Sequence, residues 1–218
     1  MKKFLILAIL GVVLLSVQSR ADASTRLIAT LEGSQEFPPN ASMATGFATF
    51  ELNDAMTALT YNVTIFDLDF TGFLTPANAQ TPNPADDLIN AHIHASATNV
   101  PGVNAGVVFG FIGAPFNEDD IVGNPIDVVV TPFTTPGVAG GMVSGKWDAL
   151  EGNNTTLTAQ LANILGGHSY INFHTRQFGG GEIRGQIQVV PEPSTLLLLG
   201  SGLAGVIAFG RKRLRKKV

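Results

Sequence analysis

Two uncharged, apolar segments near opposite ends of the chain limit which residues can form a globular domain. Phe4–Val17 follows two lysines, and Thr195–Gly210 runs directly into the basic segment Arg211–Lys217. Uninterrupted apolar runs beside basic residues are typical of segments that enter a membrane, not of a folded core. About 165 residues therefore remain to fold between them, which predicts one domain of ordinary size.

The N-terminal segment has the three parts of a secretory signal peptide. A basic start precedes the apolar stretch, and Ala21 and Ala23 supply the small residues at which a signal peptidase cuts. The prediction is a signal peptide over residues 1–23 and a mature chain that begins at Ser24. An uncleaved anchor is the alternative, and with either outcome the domain crosses the membrane.

The C-terminal segment is predicted to be a transmembrane helix over residues 195–210. At about 1.5 Å rise per residue it is about 24 Å long, and snorkelling basic side chains or local thinning adapt it to a hydrocarbon core of about 30 Å. By the positive-inside rule the basic tail, residues 211–217, stays in the cytoplasm and leaves the preceding domain outside.

Charge and cysteine content exclude several classes of function. Residues 24–190 contain 15 acidic and four basic residues, a net charge of −11, although the whole chain sums to −4. So acidic a domain repels phosphate backbones, and no nucleic-acid partner is expected. The chain has no cysteine, which excludes disulfides and thiolate metal ligands and leaves packing to stabilise the domain.

Between the two ends, short β-prone runs alternate with Gly, Pro and Asn turns, which predicts an all-β domain, a Greek-key-like sandwich or barrel. The predicted strands are Arg26–Glu32, Gly46–Leu52, Leu59–Leu68, Asn90–Ser96, Val107–Ile112, Ile126–Thr131, Gly141–Trp147, Ser169–Thr175 and Glu182–Val189. One short helix is predicted over Thr155–Leu165, where leucines recur at helical spacing before two glycines.

Three histidines on two predicted strands are candidate metal ligands. His92 and His94 are two residues apart, so both point to the same face of their strand. On the other strand Ile171 and Phe173 are expected to face the core, which leaves His174 on a polar face. Three imidazoles favour zinc or copper over calcium, which prefers oxygen ligands. The alternative is that these histidines only form hydrogen bonds to loops and acidic neighbours.

Two charged residues are candidates to surround and orient the metal ligands. Glu182 and Arg184 lie two residues apart and so share one face of the last predicted strand. They are expected either to pair with each other or to act on the ligands, with Glu182 orienting His174. The alternative is a surface ion pair that contributes little to stability.

The C-terminal end resembles a known sorting signal. Pro191, Glu192 and Pro193 precede the apolar segment and the Arg-rich tail in the order of the PEP-CTERM signal of Gram-negative bacteria. The resemblance covers residues 191–218 and implies recognition by an exosortase, a membrane transpeptidase that cuts near the Pro-Glu-Pro segment. It implies release or transfer to a surface carrier, often in species that make extracellular polysaccharide; without an exosortase the helix remains an anchor.

The domain over residues 24–190 resembles a CHRD (chordin-type) domain. The blocks that carry the resemblance, in the family's order, are Leu31–Pro39, Gly46–Phe50, Ala91–His94, Gly167–Thr175 and Gly181–Gln186. The resemblance implies a β-sandwich or barrel of superoxide-dismutase-like or immunoglobulin-like architecture. It also implies an extracellular protein without an established catalytic activity.

These observations predict an exported bacterial surface or extracellular-matrix protein, either anchored in the membrane or processed by an exosortase. No nucleophile elbow, phosphate loop or isolated carboxylate pair is found in the sequence, so we expect no enzyme activity. The domain is expected to bind an extracellular protein or polysaccharide and to hold a metal ion on the three histidines. Two alternatives stay open: an extracytoplasmic, superoxide-dismutase-like metalloenzyme, and a structural spacer.

Overall fold

The computed structural model describes residues 24–71, 79–98, 101–113, 128–191 and 202. The predicted signal peptide with Ala21 and Ala23 lies outside the described residues. So do Glu192, Pro193, the basic tail and all of the predicted transmembrane helix except Gly202. No helix within the described residues is long and apolar enough to cross a membrane.

The described residues form a mostly β structure, which confirms the predicted fold class. A single 3-10 turn at Gly33–Gln35 follows the first strand, and the predicted helix, α1, spans Leu157–Leu165. The strands are β1 (Thr25–Glu32), β2 (Thr45–Leu52), β3 (Ala58–Phe66), β4 (Leu88–Ala95), β5 (Val107–Ile112), β6 (Val129–Pro132), β7 (Gly140–Asp148), β8 (Ser169–Thr175), β9 (Ile183–Gln186) and β10 (Gln188–Val189).

The strands pair in the order β5-β4-β8-β9-β1-β2-β3-β7-β6, with antiparallel neighbours throughout and β10 added beside β1. The sheet curls so that its two ends meet across the core. Phe109 on β5 stacks on Trp147 of β7 with ring centroids 4.8 Å apart, and it contacts Tyr61 of β3 at 6.1 Å. Strands from opposite ends of the order thus enclose one hydrophobic core.

Alternation of apolar and polar residues decides which face of β1, β2 and β3 is buried. In β2 every second residue, including Phe50 and Leu52, is buried, while Phe47 and Thr49 face solvent. Each fully buried Phe or Leu side chain stabilises the fold by about 1.5–3 kcal/mol relative to leaving it exposed. The outer face of this half of the sheet therefore remains open to water.

The other half of the sheet is buried on both faces. All seven residues of β8 are buried, with Ile171 and Phe173 on the core side, as predicted, and with Tyr170, Asn172 and His174 on the opposite side. Two loops contact β9 and the residues just before it. Asn40, in the loop before β2, donates to Gly181 O at 3.2 Å, and Asn104, in the loop before β5, accepts at Oδ1 from Arg184 at 3.2 Å. A polar surface enclosed in this way is the setting of the candidate site.

The C-terminal strand departs from the prediction. Glu182–Val189 was expected to be one strand, but it divides into β9 and β10 at Ile187, whose N–H donates to Ser169 O at 2.9 Å. Beyond this point the chain pairs with β1, where Val189 lies opposite Leu27. Val189 in β10 is 37% exposed, whereas all four residues of β9 are buried.

The two ends of the domain lie side by side. Val190 N–H donates to Arg26 O at 2.8 Å, immediately before Pro191, the first residue of the predicted sorting motif. Ser24, the predicted first residue of the mature chain, is two residues before Arg26. The chain therefore enters and leaves the folded domain at the same end of β1.

Candidate metal centre

The register of β4 and β8 brings the three predicted ligands together. His92 is paired with Asn172, and His174 is paired with Asn90. His92 and His174 are therefore separated by only two residue positions along the paired strands and lie on the same face of the sheet. The ring centroid of His92 is 5.2 Å from that of His174 and 5.7 Å from that of His94. One ring nitrogen from each of the three lies within 4.8 Å of the others.

These distances allow the three imidazoles to bind one ion after a small adjustment. Metal–nitrogen bonds of about 2.0–2.1 Å in a tetrahedral site put ligand nitrogens about 3.3 Å apart. The ligand nitrogens of the cluster lie within 4.8 Å of one another, so they need to approach by at most about 1.5 Å to reach that spacing. The geometry thus fits a zinc or copper ion, and binding itself stays a prediction.

Backbone carbonyls fix the tautomers of two of the histidines. Nδ1 of His94 lies 2.9 Å from Ala105 O, and Nδ1 of His174 lies 3.1 Å from Gly179 O. A carbonyl oxygen only accepts, so in each neutral ring Nδ1 carries the proton and Nε2 presents a lone pair. This is the arrangement in which metal-binding histidines are usually held.

Burial keeps the cluster in its neutral form. Desolvation, with His174 and His94 nearby, lowers the pKa of His92 from 6.5 to about 3. Desolvation also lowers the pKa of His94 to about 4, against the opposing effect of its bond to Ala105, and it lowers the pKa of His174. The neutral imidazole is the form that binds metal, so the cluster needs no proton release at neutral pH.

Arg184 fixes the surroundings of His94 by a stack of three side chains. The His94 ring lies parallel to that of Tyr170 with centroids 4.6 Å apart, and the guanidinium carbon of Arg184 is 3.4 Å from the Tyr170 centroid. Arg184 also donates to Val103 O at 2.8 Å and to Asn104 Oδ1 at 3.2 Å. Because Ala105 follows directly, these bonds also hold the carbonyl that binds His94.

Glu182 has a different environment from the one predicted. Its carboxylate accepts a hydrogen bond from Ser42 Oγ at 2.6 Å and a very short one from Thr175 Oγ1. It therefore links the β8–β9 end of the sheet to the loop before β2, and the predicted contacts with His174 and Arg184 are replaced by these bonds. The reason is that Glu182 lies just before β9 and faces Ser42, whereas His174 turns to Gly179 and Asn172.

Two polar residues beside the histidines were not among the predicted site residues. Asn172 is 2% exposed, and its Oδ1 lies 3.0 Å from His174 Nε2. Glu36, 5% exposed, accepts a hydrogen bond from Asn172, and burial raises its pKa from 4.5 to about 7. Alternation on β8 places Asn172 on the histidine face, but no local signal indicates that the loop with Glu36 folds over it.

A second cluster of acidic residues lies in the loop region between β3 and β4. Oxygens of Asp69, Asp86 and Asp87 lie within 4.8 Å of one another. These carboxylates already have protein partners: Asp87 pairs with Arg176 at 2.9 Å, and Asp69 and Asp86 both accept from Thr81. Asp69 is fully buried, so its carboxylate depends on these hydrogen bonds.

Comparison with protein families adds two findings to this geometry. The family model of the CHRD domain matches residues 27–187, which include all three histidines. The model of the PEP-CTERM protein-sorting motif matches residues 189–213. No curated protein and no solved structure gives a significant match.

Proposed function

The chain belongs to the CHRD domain family, and from that premise we propose that it is a non-enzymatic extracellular binding protein that holds a metal ion on His92, His94 and His174. Its PEP-CTERM motif implies exosortase processing and hence an exported, envelope-associated protein. The domain acts outside the cytoplasm and presents its metal-bound form to an extracellular protein or polysaccharide.

One observation carries the metal part of this proposal: three neutral imidazoles converge in a buried site. Burying a polar group without a partner costs about 1–3 kcal/mol on the scale of protein mutations. Such a cluster therefore destabilises the fold unless a bound group satisfies the buried nitrogens. Nε2 of His94 is buried and lacks a hydrogen bond of good geometry within the described residues. A metal ion shared by the three rings would satisfy this nitrogen.

The metalloenzyme alternative uses the same histidines but needs a position open to substrate. His92, His94 and His174 are 4%, 8% and 7% exposed. Catalytic zinc sites keep a ligand position for water or substrate, whereas structural sites are closed. The burial of the cluster therefore favours the binding role over catalysis.

Metal analysis of the full-length protein purified from the cell envelope tests the proposal. We expect about one zinc or copper ion per chain, and loss of that ion in His92→Ala. His168→Ala is the matched control, because His168 is a histidine outside the cluster. A protein that takes up neither Zn²⁺ nor Cu²⁺ in a titration, and that His92→Ala leaves unchanged, would remove both the metal site and the metalloenzyme alternative.

The sorting part of the proposal is tested separately. We propose that exosortase cuts near Pro191, Glu192 and Pro193, and that residues 195–210 hold the precursor in the membrane. Deleting residues 191–218 is expected to move the protein from the envelope to the soluble periplasmic or secreted fraction. An unchanged distribution after fractionation would contradict this part alone.

A further inference from the structure

Asn172 lies among the three histidines, in a position that a ligand would take. It is directly opposite His92 in the sheet and two residues before His174, so all three side chains are on one face. Its Oδ1 is 3.0 Å from His174 Nε2, and the side chain also interacts with His94. Neighbouring ligand atoms around one ion are separated by about this distance.

The orientation of the Asn172 amide is set from its other side. Glu36 accepts a hydrogen bond from Asn172, and in its ionised form this carboxylate can accept only from the NH₂ group. The amide oxygen therefore turns away from Glu36 and towards the histidines. Glu36 itself is buried and belongs to the loop that precedes β2.

This orientation creates a conflict that a cation would resolve. Since Nδ1 of His174 donates to Gly179 O, its Nε2 carries a lone pair, and it faces the lone pairs of Asn172 Oδ1 at 3.0 Å. Two acceptors at hydrogen-bond distance with no proton between them repel each other. A positive ion next to both atoms turns the repulsion into two attractive contacts.

We propose that Oδ1 of Asn172 is the fourth ligand of the ion, which makes the site a closed set of three nitrogens and one oxygen. This inference rests on the proposed function, because it assumes that the three histidines bind a metal. Glu36 is then a positioning residue that keeps the amide oxygen turned towards the ion. The preferred ions are divalent zinc and copper, because an amide oxygen is a poor ligand for Cu(I).

Two substitutions of nearly equal size separate the oxygen from the shape of the side chain. Asn172→Leu keeps the volume but removes the ligand atom, whereas Asn172→Asp keeps an oxygen at the same place. Asn62→Leu is the matched control, because Asn62 is exposed on the outer face of β3. Each full-length variant is stripped with a chelator and titrated with Zn²⁺ for affinity and with Co²⁺ for its visible spectrum.

We expect Asn172→Leu to weaken Zn²⁺ binding about 10–100-fold, the range seen when a group supporting a metal site is lost. Its Co²⁺ spectrum should also change, because water or nothing replaces the oxygen ligand. Asn172→Asp should bind Zn²⁺ at least as tightly as the unmodified protein, and Asn62→Leu should match it in both measurements. If Asn172→Leu does not fold, a tighter Asn172→Asp site with a shifted Co²⁺ spectrum still supports direct ligation.

The inference is overturned if Asn172→Leu keeps the original affinity and Co²⁺ spectrum while His92→Ala loses binding. With a misfolded Leu variant, an Asp variant that leaves both readouts unchanged overturns it as well. If the unmodified protein binds neither ion, the proposed function has failed, and with it the basis of this inference. The two failures are therefore distinguishable in one set of titrations.

Discussion

Replacing His92 with glutamine should make the metal-free protein more resistant to acid. The folded state holds His92 with its pKa lowered from 6.5 to about 3, so it stays neutral while the unfolded chain becomes protonated. A base with a lowered folded pKa contributes full stability above its unfolded pKa. That contribution is lost as the pH falls from about 6.5 towards about 3.

The size of the effect follows from the pKa difference. Each pH unit between the two pKa values costs about 1.4 kcal/mol, so going from about pH 7.5 to about pH 4.5 removes about 3 kcal/mol through His92. Domains of this size are stabilised by about 5–15 kcal/mol in total, so the loss is large.

Glu36 acts in the opposite direction, because its raised pKa makes the fold less stable as the pH rises from about 4.5 through about 7. The comparison of two proteins at two pH values cancels that contribution.

Urea unfolding in the presence of a chelator measures this difference. Trp147 is the one tryptophan of the chain and is fully buried, so its fluorescence reports global unfolding. We expect His92→Gln to lose about 3 kcal/mol less than the unmodified protein between the two pH values, with His168→Gln as the matched control. Equal losses in the unmodified protein and His92→Gln would refute the argument that burial keeps His92 neutral.

Three further substitutions test the packing that holds the site. Phe109→Ala should lower the free energy of unfolding by about 3–5 kcal/mol in urea titrations, because it leaves a cavity in the aromatic core; a loss under about 1 kcal/mol would contradict the packing described. Thr156→Ala should cost about 1 kcal/mol in the same measurement through loss of the cap of α1, and no change would mean that the cap is not formed in solution. Gly185→Ala should destabilise by about 1–3 kcal/mol, because the added methyl group would lie 2.6 Å from Thr30 O and force β9 away from β1; Gly180→Ala, with open space around it, is the control.

The sequence predicted the strands well where one face meets water. In β1, β2 and β3 the polar residues alternate with apolar ones, and each predicted strand agrees with the structure within two residues at either end. Where both faces are buried, the alternation no longer reports exposure. The split at Ile187 depends on its bond to Ser169 O and on the change of partner to β1, neither of which is local in sequence.

The part of the candidate site that follows from the local alternation of residues was predicted, and the part that depends on distant loops was not. Period-two spacing places His92 and His94 on one face, and the polar pattern of β8 adds His174. Glu36 was missed because its position depends on a loop that folds back over β8 and β9. Arg184 was expected either to pair with Glu182 or to act on the ligands, but its buried guanidinium contacts the Tyr170 ring, Val103 O and Asn104 Oδ1.

The pairing of β10 with β1 has a mechanical consequence for any tether attached beyond Pro191. The two strands are antiparallel, and the last hydrogen bond between them joins Val190 to Arg26. A force applied to the C-terminal side therefore acts on one hydrogen bond at a time, starting with this one. Detachment would begin with Val190 and proceed to Ile187, where β8 also holds the chain. Detachment of these few residues would lengthen the tether, while the histidine cluster, which lies on other strands, stays folded.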